Sequence, residues 1–225
     1  MKKLAFLFSV TLIAVSAFGQ KLDNEFYFRF GYSSPSWEHF GIGKDGWTDN
    51  VEKVGGNFEL GSIFMIQSLP AAENVAFGIN VDYLYTNFSN FATSTGGYDY
   101  NLGIFRAGSK LGPSFSYSPV DKLVFDLYVK ADLAWATVAV PYEDNINDAE
   151  DYYSAYTTLG MCSGLNLRYG ILMLGVEYDT VSPELESDDN KGIYLQQEVG
   201  YLVGNGDSGK KSKLPSVNFK IGLSF

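Results

Sequence analysis

A strict alternation of apolar and polar residues, with a period of two, is the feature that most constrains the fold of this chain. Residues 122–137 show it most clearly. One set of alternate positions there is apolar: Leu123, Phe125, Leu127, Val129, Ala131, Leu133 and Trp135. The positions between them include Asp126, Tyr128, Lys130 and Asp132. Because successive side chains of a β-strand point to opposite faces of the sheet, this pattern predicts a strand with one apolar and one polar face.

The same alternation recurs along most of the chain, whereas helical periodicity is hard to find. It predicts eight strands, at residues 25–33, 55–68, 75–87, 104–117, 122–137, 155–168, 171–182 and 215–225. The links between them alternate between short turns, at 69–74, 118–121 and 169–170, and long links, at 34–54, 88–103, 138–154 and 183–214. Residues 193–203 also have the composition of an additional or extended strand. Alternating short and long links are typical of an all-β, eight-stranded antiparallel up-and-down transmembrane barrel.

The first residues have the pattern of a cleaved secretory signal peptide, which we place at residues 1–19. Two lysines near the start are followed by an apolar run at 4–15, which is too short to span a bilayer as a helix. We expect cleavage after Gly19, which leaves residues 20–225 as a single barrel domain. The only cysteine, Cys162, cannot form an internal disulfide, and we interpret it as a small buried apolar residue.

Charge excludes one class of function and favours a particular placement of the polar face. The chain has a net charge of −10, or −12 without the two lysines of the signal peptide, which argues against nucleic-acid binding. The polar face of the predicted strands nevertheless carries six positive and six negative residues: Arg29, Arg106, Lys110, Lys130, Arg168 and Lys220, with Glu59, Asp82, Asp126, Asp132, Glu177 and Asp179. Because unpaired buried charges are costly, this balance favours an enclosed interior.

We therefore predict that the polar face lines the lumen and that the apolar face contacts lipid. An eight-stranded barrel is just wide enough to be filled by side chains. The twelve charges are expected to form an ionic and hydrogen-bonded network there, together with Asn80, Tyr128, Asn166 and Asn218. Glycines on the same face would leave room for the long charged side chains. The predicted result is a plugged barrel.

Some residues depart from the alternation. Ile63 and Met65 fall on the polar face of the second strand, and Ser109 falls on the apolar face of the fourth. Pro113 lies inside the fourth strand, where a closed barrel has no free edge, so we expect a bulge or an early strand end there. Aromatic residues near strand ends are candidates for interfacial girdles or are ordinary strand formers: Phe88, Tyr117, Trp135 and Tyr178.

The last nine residues carry the most specific pattern. Alternate positions there are apolar and finish on an aromatic: Val217, Phe219, Ile221, Leu223 and Phe225. Together with the signal peptide and the eight alternating strands, this terminal strand resembles that of the small outer-membrane β-barrel proteins of Gram-negative bacteria. The resemblance implies export through the periplasm and recognition of the strand by the barrel-assembly machinery. It also implies that outer-membrane lipid and lipopolysaccharide surround the barrel.

Catalysis is poorly supported. The only histidine, His39, lies in the first long link near Ser36, and we interpret it as a solvated loop residue rather than part of a hydrolase triad. Some barrels of the resembled family modify lipid A. The histidine–x–serine motif of the deacylases among them is absent, because Phe40 and Gly41 follow His39.

The loops suggest no defined metal or cofactor site. Residues 142–153 are rich in carboxylates, which are the ligands that Ca²⁺ prefers. Their spacing lacks the glycine and the terminal glutamate of a calcium loop. A solvated acidic loop is the favoured interpretation, with bridging of lipopolysaccharide phosphates by divalent ions as an alternative. Trp37, Phe40 and Trp47 in the first long link are either binding anchors or a cap on the barrel mouth.

These observations favour a plugged outer-membrane barrel with a structural or surface-interaction role, without catalysis, cofactor, metal or a specified extracellular ligand. Three alternatives remain open at this point. In the first alternative the barrel is a narrow passive channel for small solutes or ions, and in the second it is a lipid-modifying enzyme. Otherwise it is a soluble, lipocalin-like binder, in which the apolar face would point inward.

Overall fold

A computed structural model describes residues 22–35, 52–66, 73–95, 98–140, 151–155, 157–181, 185–187 and 214–225. These residues form ten strands: β1 (Glu25–Pro35), β2 (Glu52–Met65), β3 (Val75–Thr95), β4 (Tyr98–Val120), β5 (Leu123–Val140), β6 (Asp151–Ala155), β7 (Thr158–Tyr169), β8 (Leu172–Val181), β9 (Leu185–Ser187) and β10 (Leu214–Ser224). The described part of the chain contains no helix long and apolar enough to cross a membrane. The expected signal peptide, His39, the three loop aromatics and residues 193–203 lie outside the described ranges.

Eight of the strands close into an antiparallel barrel, which confirms the predicted fold class. Neighbouring strands pair in the order β1, β2, β3, β4, β5, β7, β8 and β10, and β10 pairs back with β1. Paired residues can be followed from one strand to the next around the barrel, with the register between β4 and β5 carried unchanged across Pro113. The series begins at Glu25 of β1 and returns to β1 at Pro35, so one circuit of the barrel shifts the register by ten residues. Such a stagger tilts the strands and, with their number, sets the width of the barrel.

The chain terminus closes the barrel. Partners in β1 and β10 run from Tyr27 opposite Ser224 to Pro35 opposite Ser216. One residue beyond the first of these pairs, the Phe26 and Phe225 backbones exchange two hydrogen bonds of 2.9 and 2.8 Å. The final residue is therefore held in the sheet, because its N–H and C=O groups both have partners.

We call the two openings of the barrel the short-turn end and the long-link end. The short-turn end has turns at Asp121–Lys122 and Gly170–Ile171. Lys122 and Gly170 have positive φ values of 68° and 58°, as tight hairpin turns require. Lys122 O also accepts a 3.0 Å bond from Gly170 N, which joins the two turns.

Strand pairing continues further toward the long-link end than the sequence predicted. The expected link at 88–103 is wrong, because β3 and β4 stay paired as far as Thr95 opposite Tyr98. The expected link at 138–154 is likewise shortened, since β6 pairs with the end of β5 and β9 pairs with β6. A backbone ladder needs no apolar face, so alternation does not reveal strands that extend past the barrel wall.

A β-bulge in β3 changes which residues face the lumen. The register with β4 shifts between Asp82 and Tyr85, so Tyr83 and Leu84 both point outward, with 46% and 45% of their surface exposed. Strict alternation along β3 predicts Tyr85 on the apolar face with Phe77, Ile79 and Tyr83, and this prediction is wrong, because Tyr85 is 1% exposed and points inward. Ser109 Oγ, opposite the bulge, donates a 2.8 Å hydrogen bond to Tyr83 O. This bond explains a hydroxyl on the apolar face of β4.

Pro113 produces neither the bulge nor the strand end that was expected. It pairs with Ile79 of β3 on one side. On the other side, the pairs with β5 resume at Ser114 opposite Tyr128 in the same register as Leu111 opposite Ala131. The missing N–H therefore interrupts the ladder locally, and β4 continues to Val120.

Candidate functional site: the barrel interior

The barrel has charges inside and apolar side chains outside. Outward residues such as Phe30, Leu133 and Phe219 have about half of their surface exposed, at 55%, 51% and 52%. The twelve charged residues predicted for the lumen all point inward and are at most 4% exposed: Arg29, Glu59, Asp82, Arg106, Lys110, Asp126, Lys130, Asp132, Arg168, Glu177, Asp179 and Lys220. A soluble barrel does not expose so much contiguous apolar surface. The interpretation as a lipocalin-like binder is therefore wrong.

Two glutamates anchor the centre of the interior. Glu59 of β2 and Glu177 of β8 share the ammonium groups of Lys110 and Lys220. Lys110 Nζ lies 3.3 Å from Glu59 Oε1 and 2.6 Å from Glu177 Oε1, and the corresponding distances for Lys220 are 2.5 and 2.6 Å. Because each carboxylate faces more than one cation, its charge is compensated from several strands at once.

A third carboxylate, Asp82, joins this centre through two further cations. Lys130 Nζ lies 2.5 Å from Asp82 Oδ2, and Arg29 Nη2 lies 3.6 Å from Asp82 Oδ1. Arg29 also reaches Glu59 Oε2 at 2.5 Å and donates a 2.6 Å bond to Asn166 Oδ1. We call Arg29, Glu59, Asp82, Lys110, Lys130, Glu177 and Lys220 the ionic layer. It carries four positive and three negative charges drawn from seven of the eight barrel strands.

Three inward tyrosines each bind a carboxylate and a cation. Their hydroxyls donate to acids: Tyr27 to Asp82, Tyr85 to Asp132, and Tyr128 to Glu177. Their ring faces meet cations: Arg29 over Tyr27 at 4.7 Å, Lys110 over Tyr85 at 4.2 Å, and Lys130 over Tyr128 at 4.4 Å. The cation–π contact and the charge-assisted hydrogen bond both strengthen when water is excluded. The rings therefore fill space and compensate charge together.

The long-link side of the ionic layer contains polar and charged groups beside a few buried apolar residues such as Ile104 and Val181. Asp179 Oδ2 lies 3.0 Å from Lys110 Nζ, and Arg106 donates a 2.7 Å hydrogen bond to Ser216. Asn87 Nδ2 bonds Ser33 at 2.8 Å and also contacts Asn218. These groups extend the hydrogen-bonded interior toward the long links.

The short-turn side contains a second ion-pair group. Arg168 of β7 bonds Asp126 of β5 through two nitrogens, at 2.7 and 2.9 Å, and lies 3.1 Å from Glu25 of β1. Ser116 Oγ donates a 2.6 Å bond to the same aspartate. Glu25 is 7% exposed and was missed by the sequence reasoning. Its position two residues before Tyr27 and four before Arg29, on the same face, is the signal that would have found it.

Interior glycines lie where neighbouring side chains need room. A Cβ at Gly61 would come 2.5 Å from the Tyr27 hydroxyl, and one at Gly175 would come 3.3 Å from Arg29 Nη1. A Cβ at Gly164 would collide with the Tyr128 hydroxyl. Glycine on the polar face is thus tied to the large inward residues.

Several other candidate sites can be placed. In the part of the chain that the structure describes, Glu59, Asp82 and Glu177 are near enough to share a metal ion, with ligand atoms within 4.8 Å. Each of them already faces lysine or arginine nitrogens. Cys162 is buried on β7, and the acidic segment 142–153 lies outside the described side chains.

The proposed assembly strand has its apolar residues outside. Phe219, Ile221 and Phe225 of the terminal segment are 52%, 47% and 48% exposed, and Val217 and Leu223 are half-buried on the same side. The Phe225 ring stacks on Phe28 with a centroid distance of 6.2 Å. The four candidate girdle residues also point outward, with exposures from 39% to 54%: Phe88, Tyr117, Trp135 and Tyr178.

No protein-family model matches the chain, and no curated protein matches it. Solved structures do. The attachment invasion locus protein Ail of Yersinia pestis is 12% identical with a TM-score of 0.47, over 91% of this chain and 100% of that one. A major outer membrane protein from Thermus thermophilus is 13% identical with a TM-score of 0.48, over 90% and 99%. Neisserial surface protein A is 10% identical with a TM-score of 0.39, over 89% and 95%.

Proposed function

We propose that this protein is an integral outer-membrane barrel with a plugged interior, which acts as a structural or surface-interaction protein without catalysis. The observation that carries the proposal is the combination of a charged, interlocked interior with an apolar exterior. An apolar exterior of this kind is stable when lipid surrounds it. In a closed barrel, the backbone N–H and C=O groups of every barrel strand are paired with neighbouring strands, as the membrane interior requires.

The plugged interior follows from how the ionic layer is bonded. Its cations come from β1, β4, β5 and β10, and its carboxylates from β2, β3 and β8. Lys110 of β4 reaches Glu177 of β8 across the lumen, and Lys130 of β5 reaches Asp82 of β3 past β4. The Arg29–Glu59 and Lys220–Glu177 pairs join neighbouring strands. A solute that enters must separate these pairs and leave buried charges uncompensated, which costs about 3–5 kcal/mol for each broken pair. The network therefore favours a filled barrel over an open channel.

The long-link end supports the surface-interaction role. β3, β4 and β5 extend on that side, and β6 and β9 widen the same sheet. With the short turns in the periplasm, this sheet stands at the cell surface. The proposed partners are outer-membrane lipid and lipopolysaccharide around the barrel, and the barrel-assembly machinery during biogenesis.

Membrane fractionation combined with a heat-dependent gel shift tests the proposal. We expect the protein in the outer-membrane fraction, with a mobility in unboiled samples that changes on boiling because the closed barrel resists detergent. Recovery in the aqueous extract would refute the membrane assignment. Planar-bilayer recordings test the plugged interior: we expect no sustained conductance, and reproducible channels would support the narrow-channel alternative instead.

A further inference from the structure

An apolar cluster lies at the short-turn side of a largely polar lumen. Tyr27, Ile63 and Met173 are 0% exposed, and Met65 is 8% exposed. These four side chains pack together, with Ala76 against them. Ile63 and Met65 are the two apolar residues that depart from the alternation of β2, so the sequence already predicts that they point inward. We call this group the apolar seal.

The apolar seal and the ion pairs beside it together involve most strands of the barrel. The seal takes its residues from β1, β2 and β8, with Ala76 of β3 alongside. Arg168 of β7 reaches across to Glu25 of β1 and is held by Asp126 of β5, which Ser116 of β4 also bonds. Side chains from seven strands thus meet at the short-turn side of the ionic layer.

The apolar seal differs physically from the ionic layer above it. In that layer Lys110 Nζ is within 3.3 Å of three carboxylates, so the ammonium group has several alternative partners. Charged groups of that kind also offer ligands to a passing ion. An apolar constriction offers none, and it excludes ions by losing its water.

We propose that, within this filled interior, the apolar seal rather than the ionic layer is the barrier specific to ions. This inference rests on the plugged interior proposed above and names the part of the plug that excludes ions. The Glu25–Arg168 pair lies at the same short-turn side of the lumen. The ionic layer, on the long-link side of the seal, contributes instead to the stability of the barrel and to the spacing of its strands.

The test makes the seal polar without changing its volume greatly. We would compare wild type with the triple variant Ile63→Thr, Met65→Gln and Met173→Gln in planar bilayers and in proteoliposomes loaded with a cation-sensitive dye. The expected result is at least a tenfold increase in cation flux for the triple variant over wild type. The single variant Met65→Gln, at the edge of the cluster, is tested in parallel in case the triple variant fails the heat-shift assay for folding.

Two controls separate the seal from other causes. Ala134→Ser and Ala136→Ser add hydroxyl groups at buried positions outside the seal, and their flux is expected to match wild type. Lys110→Gln weakens the ionic layer with the seal intact. In variant protein that passes the heat-shift assay for folding, the flux is also expected to stay within twofold of wild type.

The outcomes are distinguishable. A folded seal variant that stays as tight as wild type overturns the inference, and so does a Lys110→Gln variant that conducts while the seal variants do not. Conductance in wild type would instead refute the plugged interior on which the inference rests.

Discussion

Lys110 and Glu177 meet in the middle of the barrel, with Nζ 2.6 Å from Oε1 and both side chains at most 1% exposed. The same nitrogen lies 3.0 Å from Asp179 and 3.3 Å from Glu59. One ammonium group on β4 thus joins acids of β2 and β8 across the lumen. Because all of these groups are shielded from water, the loss of the cation is felt by every acid it contacts.

Replacement of Lys110 by methionine should strongly destabilise the barrel. The side chain keeps its length but leaves three buried carboxylates short of one cation, for which we expect a loss of about 3–5 kcal/mol. Urea unfolding in detergent micelles, followed by tryptophan fluorescence, measures it. Lys122→Met, in a short turn outside the network, is the matched control and should change the free energy of unfolding by less than about 0.5 kcal/mol. Equal stability of both variants would contradict the proposed importance of the ionic layer.

The bulge in β3 supplies a pair of matched tyrosine variants. Tyr85 donates a 2.9 Å bond to Asp132 inside the barrel, whereas Tyr83 points outward. Tyr85→Phe should therefore cost about 1–3 kcal/mol, because it removes the hydrogen bond from a buried carboxylate. Tyr83→Phe should be within about 0.5 kcal/mol of wild type. The same unfolding assay compares the two variants, and a larger effect at Tyr83 would contradict the inward role of Tyr85.

These tyrosines also mark where sequence reasoning stops. Strict alternation places Tyr83 and Tyr85 on the same face, and only the extra residue of the bulge separates them. A bulge leaves no reliable mark in one sequence, since its cause is the pairing with two neighbouring strands. By contrast, alternation in β5 predicted every inward charge of that strand, because no bulge interrupts it between Leu123 and Leu133.

The interior contacts were less predictable than the interior residues. The twelve charges follow from periodicity and charge balance. Which cation meets which acid depends on the stagger of the strands, as in the 2.5 Å contact between Lys220 and Glu59. Strands far apart in sequence are brought together by the closure of the barrel. Met173 of the apolar seal was missed for the same reason, since one inward methionine looks unremarkable until the barrel places it beside Ile63.

Ser109 should stabilise the bulge from the lipid side. Its hydroxyl bonds Tyr83 O at 2.8 Å, where the ladder between β3 and β4 is interrupted. In hydrocarbon no water replaces that bond, so Ser109→Ala should cost about 1–2 kcal/mol. Ser163→Ala changes another outward serine, on β7, and should have an effect below about 0.5 kcal/mol. Unfolding in lipid vesicles is the appropriate measurement, and equal effects of the two variants would argue against a special role for Ser109.

Phe225 should matter more for assembly in the cell than for stability after folding. Its backbone closes the sheet against Phe26, and those bonds persist in Phe225→Ala, while its ring is 48% exposed and contacts Phe28. If the terminal aromatic is recognised during assembly, Phe225→Ala should lower the amount of heat-shifted barrel in outer membranes severalfold. The purified variant should refold in detergent with nearly wild-type stability. Phe88→Ala removes a comparably exposed ring from β3, at 54%, and should leave the cellular amount close to wild type. If both variants lowered that amount equally, the loss would reflect missing lipid contacts rather than recognition of the terminal strand.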